Sequence, residues 1–172
     1  MVLQQFAKIK AVVLDVDGVL TDGTVLVTEA GEQLRRFSIK DGYAIQLAMK
    51  AGLHIIVISG GQSQGVLQRM SGLGVKEVHL GVSDKLTLMR QIISRLGLAI
   101  QDIAFMGDDI PDLLCMKDVA LALCPQDAVD EIKNIAAYVS PYRGGEGCVR
   151  DVLEKILRLR GLWNVETGIK SI

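Results

Sequence analysis

Short runs of apolar residues alternate along this chain with longer segments that mix apolar and polar residues at helical spacing. The runs KAVVLDV (10–16), HIIVIS (54–59), EVHL (77–80), IAFMG (103–107), VALAL (119–123) and AYVS (137–140) carry few polar positions. That is the pattern of parallel strands covered on both faces. Between them GYAIQLAMKAG (42–52), SQGVLQRMSGLG (63–74), SDKLTLMRQIISRLG (83–97), IPDLLCMKD (110–118) and DAVDEIKNIA (127–136) are predicted helices. Gly52, Gly74 and Gly97 stand where a helix commonly ends. This alternation predicts an α/β fold, a doubly wound, Rossmann-like parallel sheet. No repeat, low-complexity stretch or linker breaks it, so residues 1–172 are expected to form one domain.

Two segments depart from the alternation. In TVLVTEAGEQLRRFSI (24–39), β-branched residues flank EAGE, which predicts an antiparallel hairpin with Gly31 in its turn. Its place directly after the first strand suggests a flap beside a site, or a surface for another subunit. RGGEG (143–147) reads as a mobile, glycine-rich start to the tail, followed by a final helix over 148–160.

Composition narrows the function classes. At 172 residues and 49% hydrophobic, the chain can bury a substantial core. A net charge of −1 gives no reason to expect nucleic acid or an anionic membrane as a partner, and a single tryptophan gives little for base stacking. No apolar run approaches the roughly 18 residues that span a bilayer, and MVLQQFAKIK lacks the apolar core of a signal peptide. Cys115, Cys124 and Cys148 are odd in number and lack C-x-x-C spacing, which reads as reduced thiols in a cytoplasmic protein.

The candidate chemistry sits at the strand ends. LDVDGVLTDG (14–23) places Asp15, Asp17 and Asp22 straight after an apolar run, where like charges repel unless something positive joins them. In an open α/β sheet, ligands bind beyond the carboxyl ends of the strands. Asp15 and Asp17 follow the first strand, Ser59 ends the second, Lys85 opens the helix after the third, and Asp108, Asp109 and Asp112 follow the fourth. All are expected at one edge. Asp15 and Asp108 offer the hard oxygen ligands that Mg²⁺ prefers. Lys85 supplies a fixed cation and Ser59 a hydroxyl donor, which suit a phosphate. An aspartate can act as nucleophile, and a second one two residues on can serve as acid and base.

Together DVDGVLTDG, ISG, Lys85 and GDDIPD resemble motifs one to four of the haloacid dehalogenase superfamily phosphatases, in order and spacing over nearly the whole chain. The short length, the hairpin, IKDGYAIQLA (39–48) and RGGEG resemble its capless subgroup. The resemblance implies Mg²⁺-dependent hydrolysis through an aspartyl-phosphate. The implied substrate is 3-deoxy-D-manno-octulosonate 8-phosphate, of lipopolysaccharide biosynthesis, with a nonulosonate 9-phosphate as the alternative. Asp15 would be nucleophile and metal ligand. Asp17 would be acid and base, giving its carbonyl to the metal. Asp108 would complete the protein ligands, with Asp109 supporting, while Ser59 and Lys85 hold the phosphate. Ser38, Ile39, Lys40, Asp41, Gly42, Gly60, Arg69, Arg143, Gly144 and Gly145, with Lys85, would contact substrate, partly across subunits of a homotetramer. The stretch 143–147 would close over a neighbouring site. One position departs: many relatives carry Arg where this chain has Gly61.

Other readings compete. Asp109 and Asp112 could simply favour the N-terminus of the following helix. GQSQG (61–65) matches the G-x-S-x-G of serine esterases. Of the triad partners only His79 follows Ser63, and Glu77 beside it is expected on the opposite strand face. A phospho-acceptor switch domain also combines acids, a lysine and Mg²⁺. There the acid pair follows the first strand, whereas here the DD pair is fourth, and Asp17 supplies a route to hydrolysis.

Overall fold

The apolar runs become strands. In a computed structural model, which describes residues 2–164 and 168–169, the chain runs Val2–Lys8 (α1), Ala11–Leu14 (β1), Leu26–Val27 (β2), Gln33–Leu34 (β3), Ile39–Lys50 (α2), His54–Ile58 (β4), Gln64–Gly72 (α3), Glu77–His79 (β5), Lys85–Arg95 (α4), Ile103–Met106 (β6), Leu113–Asp118 (α5), Leu121–Cys124 (β7), Asp130–Ile135 (α6), Tyr138–Val139 (β8) and Cys148–Leu159 (α7). Six strands form a parallel sheet in the order β5-β4-β1-β6-β7-β8. At the centre Val13 pairs with Ile56 on one side and Phe105 on the other. The chain winds outward through β4 and β5, then returns to place β6 on the free side of β1. That reversal opens a crevice between the carboxyl ends of β1 and β6.

Alternation along β1 feeds two cores. Val12 and Leu14 join Phe6, Ile45, Met70, Val149, Val152 and Leu153 on the face covered by α1, α2, α3 and α7. Ala11 and Val13 join Met89, Ile92, Met116 and Ile132 on the face covered by α4, α5 and α6. With helices on both faces, β1, β6 and β7 are apolar throughout and fully buried.

Local signals account for several boundaries. Ser38 accepts the Asp41 N–H at 3.4 Å, so α2 begins at Ile39 rather than at Gly42. The predicted 110–118 helix divides into a tight turn at Ile110–Asp112 and α5. Leu26 pairs antiparallel with Leu34 and Val27 with Gln33, with Gly31 (φ 81°) in the turn between them. The glycine-rich stretch packs here against the loop that follows β1. A β-carbon on Gly144 would sit 2.0 Å from the Gly18 carbonyl oxygen, and the Gly145 N–H donates to Val19 at 3.0 Å. Among the described residues, no helix is long and apolar enough to cross a membrane.

Candidate active site

Asp15 leaves β1 with its N–H donating to the Met106 carbonyl of β6 at 3.1 Å, which anchors the carboxylate over the crevice. The next residues turn sharply. Asp17 (φ −74°, ψ 118°) and Gly18 (φ 88°, ψ −8°) have the dihedrals of a type II turn, and the second position requires glycine. Glycine also makes room: a β-carbon on Gly18 would sit 1.9 Å from Asp108 Oδ2. The D-x-D-G sequence therefore brings the acids of β1 and β6 together by leaving out one side chain.

Lys85 opens α4, where Asp84 caps the helix by accepting the Thr87 N–H at 3.0 Å. The Lys85 ammonium donates to Asp15 Oδ1 at 2.6 Å and to Asp112 Oδ1 at 2.8 Å. The other Asp112 oxygen accepts the Asp108 N–H at 3.2 Å. Ser59 Oγ accepts the Gly61 N–H at 3.2 Å. Asp15, Asp17, Gly23, Ser59, Gly60, Gly61, Lys85, Asp108, Asp109, Pro111 and Asp112 surround an open cleft of about 280 Å³.

Negative charge is in surplus. Ligand oxygens of Asp15, Asp108 and Asp112 lie within 4.8 Å of one another. Burial, and next the Asp112 carboxylate, push Asp15 up to about 7. Burial, and next Asp15, push Asp108 up to about 8, and burial raises Asp112 as well. Burial opposes the Lys85 ammonium, but Asp15 and Asp112 outweigh it and hold its pKa above the ordinary value. One lysine cannot neutralise three acids. A donor set made only of oxygen, short of positive charge, fits a hard divalent cation such as Mg²⁺.

The pH response follows. Asp15, Asp108 and the remote Asp41, which burial raises to about 6, all titrate above the ordinary 3.8 in the folded chain. The native state therefore keeps protons that the unfolded chain has released, and stability falls as pH rises from about 4 towards about 8. In chelator the melting temperature should decline over that range. Mg²⁺ should recover the part owed to Asp15 and Asp108, and its effect should grow with pH as the ligands lose protons. A flat profile in chelator would contradict the charge surplus.

The remaining sequence candidates disperse in the single chain. Asp109 lines the cleft, while its carboxylate accepts the Ile110 N–H at 2.7 Å. Asp22 lies outside, bonded to Thr24 and paired with Arg36 at 2.9 Å. Ser38, Asp41, Gly42 and Arg69 come together in a separate tight cleft with Leu20 and Phe37. There the Asp41 carboxylate accepts the Arg150 N–H at 2.7 Å and serves the N-terminus of α7. Ile39 is exposed, and Lys40 borders a groove with Arg150, Glu154 and Arg158. Arg143 pairs with Asp127 at 3.3 Å, and the Gly144 N–H donates to the same carboxylate.

Two residues gain importance. Asp112, open to a helix-terminus reading, is buried against Lys85. Arg35, unremarked in the sequence, reaches from the segment after β3 to Asp17, with Nε donating to Oδ1 at 2.6 Å. The esterase reading loses its nucleophile, because Ser63 Oγ accepts the Val66 N–H to cap α3. Glu77 and His79 do not diverge. Two residues apart on a strand, they share a face and bond at 2.9 Å, with Arg95 on the same carboxylate.

No family model matches the chain. A curated relative, the 3-deoxy-D-manno-octulosonate 8-phosphate phosphatase of Escherichia coli K12, is 33% identical over 160 residues, 93% of this chain and 85% of its own length. The crystal structure of the Yersinia pestis phosphatase of that name superposes with a TM-score of 0.94 at 32% identity, over 98% of this chain and 91% of that one. The Moraxella catarrhalis phosphatase, solved in complex with magnesium, phosphate and the sugar acid KDO, gives 0.90 at 29% identity, over 93% and 92%.

Proposed function

This chain belongs to the 3-deoxy-D-manno-octulosonate 8-phosphate phosphatases of the haloacid dehalogenase superfamily, and from that premise we propose that it hydrolyses the 8-phosphate ester of this sugar acid to the free acid and inorganic phosphate. The observation that carries the reading is Lys85 held between Asp15 and Asp112, with Asp108 beside them, at the crevice where β1 and β6 end.

In this reading an Asp15 oxygen attacks phosphorus, the bond from phosphorus to the sugar oxygen breaks, and Asp17 donates a proton to that leaving oxygen. Asp17 then takes a proton from water as the water attacks the aspartyl-phosphate, which releases phosphate and restores Asp15. Lys85 and Ser59 hold phosphoryl oxygens. Asp15 and Asp108, with the Asp17 carbonyl, would hold Mg²⁺, which when bound supplies positive charge against the phosphoryl group. Asp112 positions Lys85. Residues 1–172 act as one catalytic domain, and the buried free thiols of Cys115, Cys124 and Cys148 suit the cytoplasm.

A phosphate-release assay tests this. Activity should vanish in EDTA and return with Mg²⁺ but poorly with Ca²⁺, which prefers more and longer oxygen contacts. The octulosonate ester should exceed a small aryl phosphate in kcat/KM by at least about 10²-fold, roughly 2.7 kcal/mol, because remote contacts orient the reacting group. A nonulosonate 9-phosphate or hexose phosphate turned over faster would move the substrate assignment. Full activity in chelator would end the mechanism.

We further place the chain in a homotetramer. Val25, Leu26, Val27 and Leu34 of the hairpin are 41%, 67%, 61% and 50% exposed, with Leu26 and Leu34 paired across a two-stranded ribbon that gains from packing against its copies. Assembly would bring the scattered substrate candidates of one chain to the cleft of another. Sedimentation should give a tetramer that Leu26→Asp dissociates. A fully active wild-type monomer would refute it.

A further inference from the structure

Arg35, just after the hairpin, reaches the edge of the cleft and meets Asp17 there. Its guanidinium is bound at both ends, Nε to Asp17 Oδ1 at 2.6 Å and Nη2 to Asp17 Oδ2 at 3.4 Å. The Arg35 side chain is only 7% exposed, whereas that of Asp17 is 37% exposed at the mouth. The third nitrogen, Nη1, is buried with no hydrogen-bond partner among the described residues. Such a donor is costly to leave unmatched. Gly61 borders the same group: an added β-carbon would sit 3.7 Å from Arg35 Nη2, 3.7 Å from Ser59 Oγ and 3.3 Å from Asp17 Oδ2. A glycine at 61 leaves a gap between the strand-end hydroxyl and the flap, and Arg35 stands beside that gap.

Among the described residues that line the cleft, Lys85 is the one cation, and it is already shared by two carboxylates. A phosphate ester entering beside Ser59 brings up to two more negative charges. We propose that Arg35 is a phosphate-binding residue delivered by the flap: its guanidinium passes from Asp17 to the phosphoryl oxygens of the bound ester, which satisfies Nη1 and frees the Asp17 carboxylate to face the leaving oxygen. The planar fork of arginine suits such an exchange between two oxyanions. This rests on the phosphatase reading above and adds to it the group that recognises the phosphate from the flap side.

Calorimetric titration of the Mg²⁺-loaded protein with inorganic phosphate tests the proposal without turnover. Arg35→Ala should weaken phosphate binding by about 10- to 100-fold, the range of a lost charge-assisted hydrogen bond. It should raise KM for the octulosonate ester and for an aryl phosphate by similar factors. Arg35→Lys should recover part of the affinity, as a point charge without the fork. Arg36→Ala, whose side chain faces Asp22 and Glu146, should bind phosphate as wild type does. In an Asp17→Asn background, Arg35→Ala should still weaken phosphate. If it does not, Arg35 acts only by neutralising Asp17 and the proposal falls. Unchanged phosphate affinity in Arg35→Ala, or a loss confined to the sugar-acid ester, would also overturn it. Failure of the phosphatase reading looks different: wild-type protein that binds phosphate yet releases none from any ester.

Discussion

Asp15→Asn should abolish turnover, by at least about 10⁴-fold or roughly 5.4 kcal/mol of transition-state stabilisation, without loss of stability. The amide fills the same space, and its oxygen still accepts from Lys85, but it cannot form the aspartyl-phosphate. Stability is the less obvious half. Asp15 is 6% exposed and pushed up to about 7 by burial and by Asp112, so its charge costs the folded state free energy when no metal is present. Removing that charge leaves Lys85 paired with Asp112 at 2.8 Å. In chelator above pH 7 the variant should therefore melt no lower than wild type, and even higher. Asp17→Asn should retain more, slowing both half-reactions by about 10²–10⁴-fold. Near-wild-type hydrolysis by Asp15→Asn would sink the covalent route. A large drop in its melting temperature would sink the account of the charge.

Lys85→Met should do the opposite to stability. Lys85 is 8% exposed and is the cation on which Asp15 and Asp112 depend. Methionine keeps the length of the chain but strands the carboxylates. Removing one member of a buried ion pair typically costs about 3–5 kcal/mol. The acids can escape part of that by staying protonated, so the loss should be largest near pH 8.5 and small near pH 5. Mg²⁺ should return some of it. Activity should fall by at least about 10²-fold even with the metal, since a fixed cation aimed at the phosphoryl group is gone. Urea denaturation at both pH values measures the effect. Equal stability of variant and wild type at pH 8.5 in chelator would show that Lys85 does not carry this charge balance.

The same residues mark where local pattern sufficed. The runs at 10–16, 54–59 and 103–107 are apolar enough to read as covered parallel strands, and they became β1, β4 and β6. Because parallel strands end at one edge, Asp15, Ser59, Lys85 and Asp108 could be placed together before any coordinates. They do line one cleft. Helix α1 escaped notice because its seven residues bury only Phe6, too little to give a period. The serine in GQSQG resembled a nucleophile, while in the fold its hydroxyl caps α3.

By itself, then, the sequence determined the alternation of elements, the sidedness of the strands and which reactive groups share an edge, since all of these follow from periodicities a few residues long. Only the tertiary structure decided which charges meet. Lys85 reaches Asp15 across 70 positions and Asp112 across 27, and Arg35 reaches Asp17 across 18. Those contacts depend on strand order and on the bend of a hairpin, as the approach of Asp108 to Gly18 depends on the absence of a side chain. Local pattern does not carry that information. It also could not show that Ser38, Asp41, Gly42 and Arg69 gather away from the acidic cleft while Arg143 and Gly144 turn to Asp127. A buried charge settles wherever the whole fold provides a partner, because leaving it unpaired costs more than any local preference can return.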